Sequence, residues 1–68
     1  MDANRLIYEI KSRGLTVRDV AKEINIGYST FYKKMNGTSE FTLSEIQGII
    51  NFLDLDSPMS VFFNSKVS

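Results

Sequence analysis

The 68 residues include eight basic and eight acidic side chains, no histidine and no cysteine, which is enough for one domain with one core. Without cysteine or histidine there can be no disulfide and no thiolate or imidazole metal site, and the most frequent catalytic groups are missing. We therefore expect no metal, no cofactor, no small-molecule substrate and no enzymatic activity. Neither a membrane-length apolar run nor a signal-peptide pattern is present, so we expect a cytoplasmic protein without a membrane partner.

The zero net charge hides an uneven distribution along the chain. Residues 1–37 carry seven basic and four acidic side chains (net +3), whereas residues 38–68 carry one basic and four acidic side chains (net −3). A basic front and an acidic back suit a protein that meets an anionic partner on one side. The alternative is chance asymmetry in a short chain.

Apolar residues at helical spacing predict the first two helices. The first helix is predicted over residues 3–13, ended by Gly14, with a stripe formed by Ala3, Leu6, Ile7 and Ile10. Thr16 is a favourable N-cap for the second helix, with Asp19 at the capping-box position. The stripe of this helix is formed by Val17, Val20, Ala21 and Ile24. Asn25 tolerates the left-handed conformation that ends a helix.

Three further helices are predicted in the rest of the chain. The third runs from about Tyr28 to Met35, and the fourth follows a T-x-x-E capping box (Thr42 to Glu45) and includes Leu53. Ser57-Pro58 starts a last short helix that ends near residue 63. We therefore predict an all-α fold, a compact bundle of about five short helices forming a single domain over residues 1–68, with the last few residues flexible.

The second and third helices form a predicted helix-turn-helix over residues 16–35. Ala21 is small where the two helices must approach each other, and Phe31 is expected to point into the core. The opposite face of the third helix then presents Tyr28, Ser29, Tyr32 and Lys33. Hydroxyls, an aromatic edge and an ammonium group suit contacts with base edges in a DNA major groove.

The stretch Leu15 to Gly37, L-T-V-R-D-V-A-K-E-I-N-I-G-Y-S-T-F-Y-K-K-M-N-G, resembles the helix-turn-helix of phage Cro and repressor proteins (the xenobiotic-response-element-like family). The family pattern L-T-Q-x-x-L-A-x-x-x-G-V-S-x-x-x-[IV]-x-x-[YWI]-E-N-G aligns with it without a gap. The following F-T-L-S-E-I-Q-G-I-I-N-F-L and the later V-F-F are similar to small regulators of phages of Gram-positive bacteria. The resemblance covers roughly residues 3–63 and implies a lambda-repressor-like DNA-binding domain.

The resemblance also implies roles for individual residues. Base contacts are implied for Tyr28, Ser29 and Lys33, with Tyr32 as an additional contact. Phosphate contacts, which hold register without conferring sequence preference, are implied for Thr30, Lys34, Asn36, Gly37 and Thr38.

Several positions depart from the family pattern. Val17 replaces the glutamine that usually anchors the second helix to a phosphate. Lys34 replaces a usually apolar residue and is expected to reach solvent. Ile10 and Met35 replace an arginine and a glutamate that usually pair, so we expect these two side chains to touch each other instead.

Two functions remain open at this point. The first is a Cro-like transcriptional regulator that binds a double-stranded DNA operator as a homodimer, associated with the nucleoid. The second is a protein-binding module that modulates a partner phage repressor, as antirepressor or co-repressor, with weak or no DNA binding of its own. Either needs an interface, for which the candidates are Phe52, Leu55, Phe62 and Phe63. We expect at least two of these four to be exposed, because a core this small cannot bury them all.

Overall fold

The computed structural model describes residues 1–63, and the predicted flexibility of the last few residues concerns positions 64–68, outside that range. The described residues form five α-helices, namely α1 (Ala3–Lys11), α2 (Val17–Glu23), α3 (Tyr28–Met35), α4 (Leu43–Leu53) and α5 (Pro58–Phe62). The predicted all-α fold is therefore confirmed. None of the helices in this part of the chain has the length and apolarity needed to cross a membrane.

Two complete capping boxes fix where α2 and α4 begin. The Asp19 N–H donates to Thr16 Oγ1 (3.2 Å) while the Thr16 N–H donates to Asp19 Oδ2 (2.8 Å). At α4 the Glu45 N–H donates to Thr42 Oγ1 (3.1 Å) and the Thr42 N–H to Glu45 Oε1 (2.9 Å). Each N-cap contributes about 1 kcal/mol by satisfying N–H groups that the helix leaves unpaired. Both predicted starts are confirmed.

The loops on either side of α2 depend on left-handed backbone. The first helix ends at Lys11 rather than at the predicted residue 13, because the Gly14 N–H donates to the Lys11 carbonyl (3.0 Å) in a tight turn. Gly14 adopts φ +75°, which glycine tolerates best. Asn25 adopts φ 64° at the end of α2, the conformation that the sequence predicted. These turns bring α3 across α2, the contact on which the helix-turn-helix depends.

The core lies where α1 packs against α2 and α5, and where α2 packs against α3 and α4. Its most deeply buried side chains are Phe31, Leu6, Ile10, Ile49, Leu53, Val20 and Val61. Phe31 is the only aromatic among them, and its ring meets that of Phe41 edge-on with 5.3 Å between centroids. Burial of Phe31 and Met35 sets the rotation of α3 about its axis, so the opposite face of that helix is turned to solvent.

The C-terminal helix completes this core. The Asp2 N–H donates to the Val61 carbonyl (2.8 Å) and joins the start of α1 to α5. Leu55 and Phe62 are buried, which corrects their assignment as interface candidates. Both side chains belong to the buried cluster, and the Phe62 ring meets that of Phe41 edge-on with 6.3 Å between centroids. Phe52 and Phe63 are exposed (36% and 51%), so the expectation that at least two of the four are exposed is confirmed.

Candidate nucleic-acid interface

The solvent-facing side of α3 carries the residues that were predicted to contact bases. Tyr28, Ser29, Tyr32 and Lys33 are all exposed, and so is Thr30, a predicted phosphate contact. Their exposure follows from the burial of Phe31 and Met35 on the opposite side. The helix contains no acidic residue, and Lys33 and Lys34 occupy its last turn. An exposed helix with hydroxyls, aromatic rings and positive charge has the chemistry that a major groove accepts.

Two tyrosine rings and one arginine form a stack at the start of this surface. The rings of Tyr28 and Tyr32 meet edge-on, with centroids 4.9 Å apart and planes at 76°. The Arg18 guanidinium lies over the Tyr28 ring, 4.3 Å from its centroid. Sequence reasoning did not include Arg18 among the site residues. The available signal was its place in the first turn of α2, directly after the buried Val17.

The contact between the two tyrosines also affects ionisation. Hydrogen bonding with the Tyr28 side chain raises the pKa of the Tyr32 phenol above its ordinary value of 10.0. Tyr32 therefore stays neutral around physiological pH and keeps its O–H proton. Its O–H is engaged with Tyr28, and its hydroxyl oxygen can still accept a hydrogen bond, for example from a base amino group.

The neighbouring lysines at the end of α3 have different surroundings. Lys33 is exposed. Lys34 Nζ lies 2.6 Å from Glu45 Oε1, with only 13% of its side chain exposed, and 5.9 Å from the centroid of the Phe41 ring. Because Lys34 occupies a position that the family pattern keeps apolar, its stem packs inward and its ammonium group is neutralised by Glu45. Lys34 is thus not free to reach solvent or a phosphate as expected.

The loop after α3 was predicted to contact phosphates through Asn36, Gly37 and Thr38, and all three are exposed. The Thr38 N–H donates to the Lys33 carbonyl (2.9 Å), and the Thr38 hydroxyl donates to Asn36 Oδ1 (2.8 Å). The Gly37 N–H makes a longer bond to the Lys34 carbonyl (3.4 Å). The side-chain amide N–H groups of Asn36 have no partner among the described residues, so Asn36 keeps the donors best suited to a phosphate.

No cluster of three carboxylates that could hold a metal ion occurs within residues 1–63. In the same region every buried side-chain nitrogen and oxygen has a hydrogen-bond partner. The distinctive surface is therefore the one formed by α3 and the start of α2.

Among the described residues, α2 and α3 pack against each other across a four-residue turn, which is a helix-turn-helix. The family model for the Cro/C1-type HTH DNA-binding domain matches residues 5–58, and the chain belongs to this family. It is accordingly a DNA-binding regulator by family. No curated protein and no solved structure gives a significant match.

Proposed function

We propose that the protein is a Cro-like transcriptional regulator of phage origin, active in a lysogeny switch, that binds a palindromic operator as a homodimer. In this proposal α3 enters the major groove, and Tyr28, Ser29, Tyr32 and Lys33 contact base edges. Two copies related by a two-fold axis would place their α3 helices in successive major grooves, one helical turn apart. No catalytic step is part of this function.

The observation that carries the proposal is the solvent-facing side of α3. Four side chains with hydrogen-bonding or cationic groups are exposed there, with no carboxylate on the helix to repel DNA. Tyr28 and Tyr32 also hold each other in one arrangement. Side chains that are ordered before binding lose less entropy when they meet a ligand, which favours selective contacts.

Binding to a randomised duplex library, followed by titration of the selected duplex against a scrambled one, tests the proposed base contacts. We expect Ser29→Ala and Tyr28→Ala to reduce discrimination between the two duplexes, since each base contact contributes about 1–3 kcal/mol of specificity. Wild-type discrimination in both variants would contradict the proposed base contacts. Absence of any preferred duplex for the wild type would contradict operator binding itself.

The two adjacent lysines provide a matched pair for the same titration. We expect Lys33→Met to weaken binding to the selected duplex, because it removes an exposed ammonium group from the proposed groove surface. Lys34→Met should leave binding and its salt dependence unchanged, because Glu45 already neutralises that ammonium group. Equal losses in both variants would contradict the separate roles of the two lysines.

A second candidate function is a protein-binding module that modulates a partner phage repressor. The observation in its favour is apolar exposure in the C-terminal half, where Phe52, Met59 and Phe63 are 36%, 65% and 51% exposed. The zero net charge also weakens non-specific attraction to DNA. These side chains would serve either a second copy of the chain or a different protein.

Sedimentation of the wild type beside Phe52→Lys and Phe63→Lys separates the two functions. A wild-type dimer that becomes monomeric in either variant, together with operator binding by the wild type, would support the regulator. Lys11→Ala, which alters an exposed residue of α1, is the control for a general charge effect. A wild-type monomer that does not bind DNA but binds the repressor encoded beside it would instead favour the protein-binding module.

A further inference from the structure

An open hollow lies along α2 and the turn that leads into α3, on the proposed DNA side. Its volume is about 450 Å³, and its lining includes Arg18, Lys22, Asn25, Gly27 and Tyr28. Arg18 and Lys22 are four residues apart on α2, so their side chains leave the helix on the same face. Two cationic side chains therefore border one hollow next to the first residue of α3.

The acidic side chains of α2 do not oppose these two cations. Asp19 accepts the Thr16 N–H within the capping box (2.8 Å). Glu23 lines a different hollow, on the side of α2 that faces α4. No carboxylate lines the hollow between α2 and α3 among residues 1–63. The hollow is thus a locally positive site in a protein of zero net charge.

Arg18 is fixed in position by aromatic contact rather than by an ion pair. Its guanidinium lies 4.3 Å from the Tyr28 centroid, and no salt bridge involves it within residues 1–63. A guanidinium over an aromatic ring can lie parallel to it and still donate from its in-plane N–H groups. Those N–H groups suit the paired oxygens of a phosphate.

We propose that Arg18 and Lys22 form a site that holds a DNA backbone phosphate beside α2, and that Arg18 at the same time positions the Tyr28 ring in the groove. This inference rests on the proposed function and adds a contact outside α3. Val17, the first residue of α2, is buried and offers no polar group. In this proposal the contact with the phosphate therefore comes from the next residue along the chain, Arg18. Arg18 thereby links binding of the DNA phosphate backbone to recognition of the base sequence.

The test measures how the affinity for the selected duplex depends on salt. Each lost phosphate contact lowers the slope of log K against log salt by about 0.9. We expect the double variant Arg18→Ala/Lys22→Ala to lower the slope by about this amount and each single variant to lower it by part of this amount, whereas Lys11→Ala, on α1, leaves it unchanged. Arg18→Lys should keep the slope, because the charge remains. It should nevertheless reduce discrimination against the scrambled duplex, as Tyr28→Ala does, because lysine cannot stack as a plane on the ring.

The outcomes distinguish this inference from the function on which it rests. If the wild type binds the selected duplex and Arg18→Ala has the wild-type slope, the phosphate site is wrong and operator binding stands. If Arg18→Lys discriminates as well as the wild type, the positioning role is wrong even where the phosphate site holds. If the wild type selects no duplex, the proposed function and this inference both fail. Melting temperatures of the variants near that of the wild type show that the effects come from binding.

Discussion

The two ends of α3 have different surroundings. At the N-terminal end, Tyr28 and Tyr32 are 40% and 38% exposed, their rings meet edge-on, and the Arg18 guanidinium lies over the Tyr28 ring. At the C-terminal end, Met35 is buried and Lys34 is paired with Glu45 at the start of α4. The first end is available to DNA, whereas the second holds α3 in the fold. Residue type alone therefore does not reveal function, as the exposed Lys33 and the paired Lys34 demonstrate.

The C-terminal end of α3 is also where fold and surface depend on each other. Glu45 Oε1 accepts both the Thr42 N–H (2.9 Å) and a bond from Lys34 Nζ (2.6 Å). One carboxylate thus caps α4 and neutralises the lysine of α3. This shared acceptor joins two helices that are connected by an exposed loop. We expect changes at this end to alter stability, while changes at the N-terminal end alter DNA binding.

The largest expected effect on stability comes from a charge placed at Met35. Met35→Glu introduces a carboxylate at a position that is 5% exposed, and an unpaired charge in such a place costs about 3–5 kcal/mol. A 68-residue domain has only about 3–10 kcal/mol of stability in total. We expect urea denaturation to show a large loss, with Met35→Leu as the volume-matched control that costs less than about 1.5 kcal/mol.

Ile10→Arg, added to Met35→Glu, tests the predicted contact between the two positions. Ile10 and Met35 belong to the same buried cluster, so an arginine at residue 10 has the opportunity to pair with a glutamate at residue 35. We expect the double variant to recover part of the stability that Met35→Glu loses. Two single losses that simply add in the double variant, or a double loss larger than their sum, would contradict the idea that these side chains face each other.

The next effect in size concerns the carboxylate of Glu45. Glu45→Ala leaves the mostly buried ammonium group of Lys34 without a partner and removes half of a capping box, for a loss of about 2 kcal/mol. Lys34→Met should change stability by less than about 1 kcal/mol, because an apolar side chain fits this position. Asp19→Ala is the matched control, since it disrupts the equivalent capping box at α2 without leaving a buried lysine charge unpaired. Equal losses for Glu45→Ala and Asp19→Ala in urea denaturation would contradict a stabilising role for the ion pair.

Most of the fold was predictable because local signals agree with tertiary packing. The Thr16 and Thr42 capping boxes, the left-handed Asn25 and the inward-pointing Phe31 each follow from short-range chemistry. The candidate site was predictable in part. Spacing on α3 identifies its exposed face, because helical periodicity is regular once one side is buried.

The missed features depend on contacts between residues far apart in sequence. Lys34 meets Glu45 across the loop between α3 and α4, and Arg18 meets Tyr28 across the turn between α2 and α3. Helical spacing contains no information about such pairs. The burial of Phe62 was missed for a related reason, since this residue lies on α5, which packs against α1.

The smallest expected effect is the response of the two ends of α3 to pH. Burial of Glu45 raises its pKa, but the bonds from Lys34 and Thr42 outweigh burial and hold the pKa below 4.5. A carboxylate with a lowered folded-state pKa adds stability above its unfolded pKa, and this stability is lost as the pH falls through the folded value. Bonds from Arg13 and Arg5 lower the pKa of Glu9 as well, so wild-type stability should fall below about pH 4.5.

Thermal unfolding of Glu45→Gln and of the wild type over the same pH range measures how much of the acid-induced loss of stability comes from Glu45, which pairs with the C-terminal end of α3. We expect the variant to be less stable at neutral pH and to lose less stability on acidification, because its residue 45 has no proton to gain. Glu9→Gln should remove a separate part of the acid-induced loss of stability. Glu9 pairs with Arg5 in α1 and with Arg13 in the turn after α1. At the N-terminal end of α3, Tyr32 stays protonated well above neutral pH, and the chain has no histidine. DNA binding should therefore stay constant around neutral pH, and a marked change there would mean that a group outside α3 controls the interface.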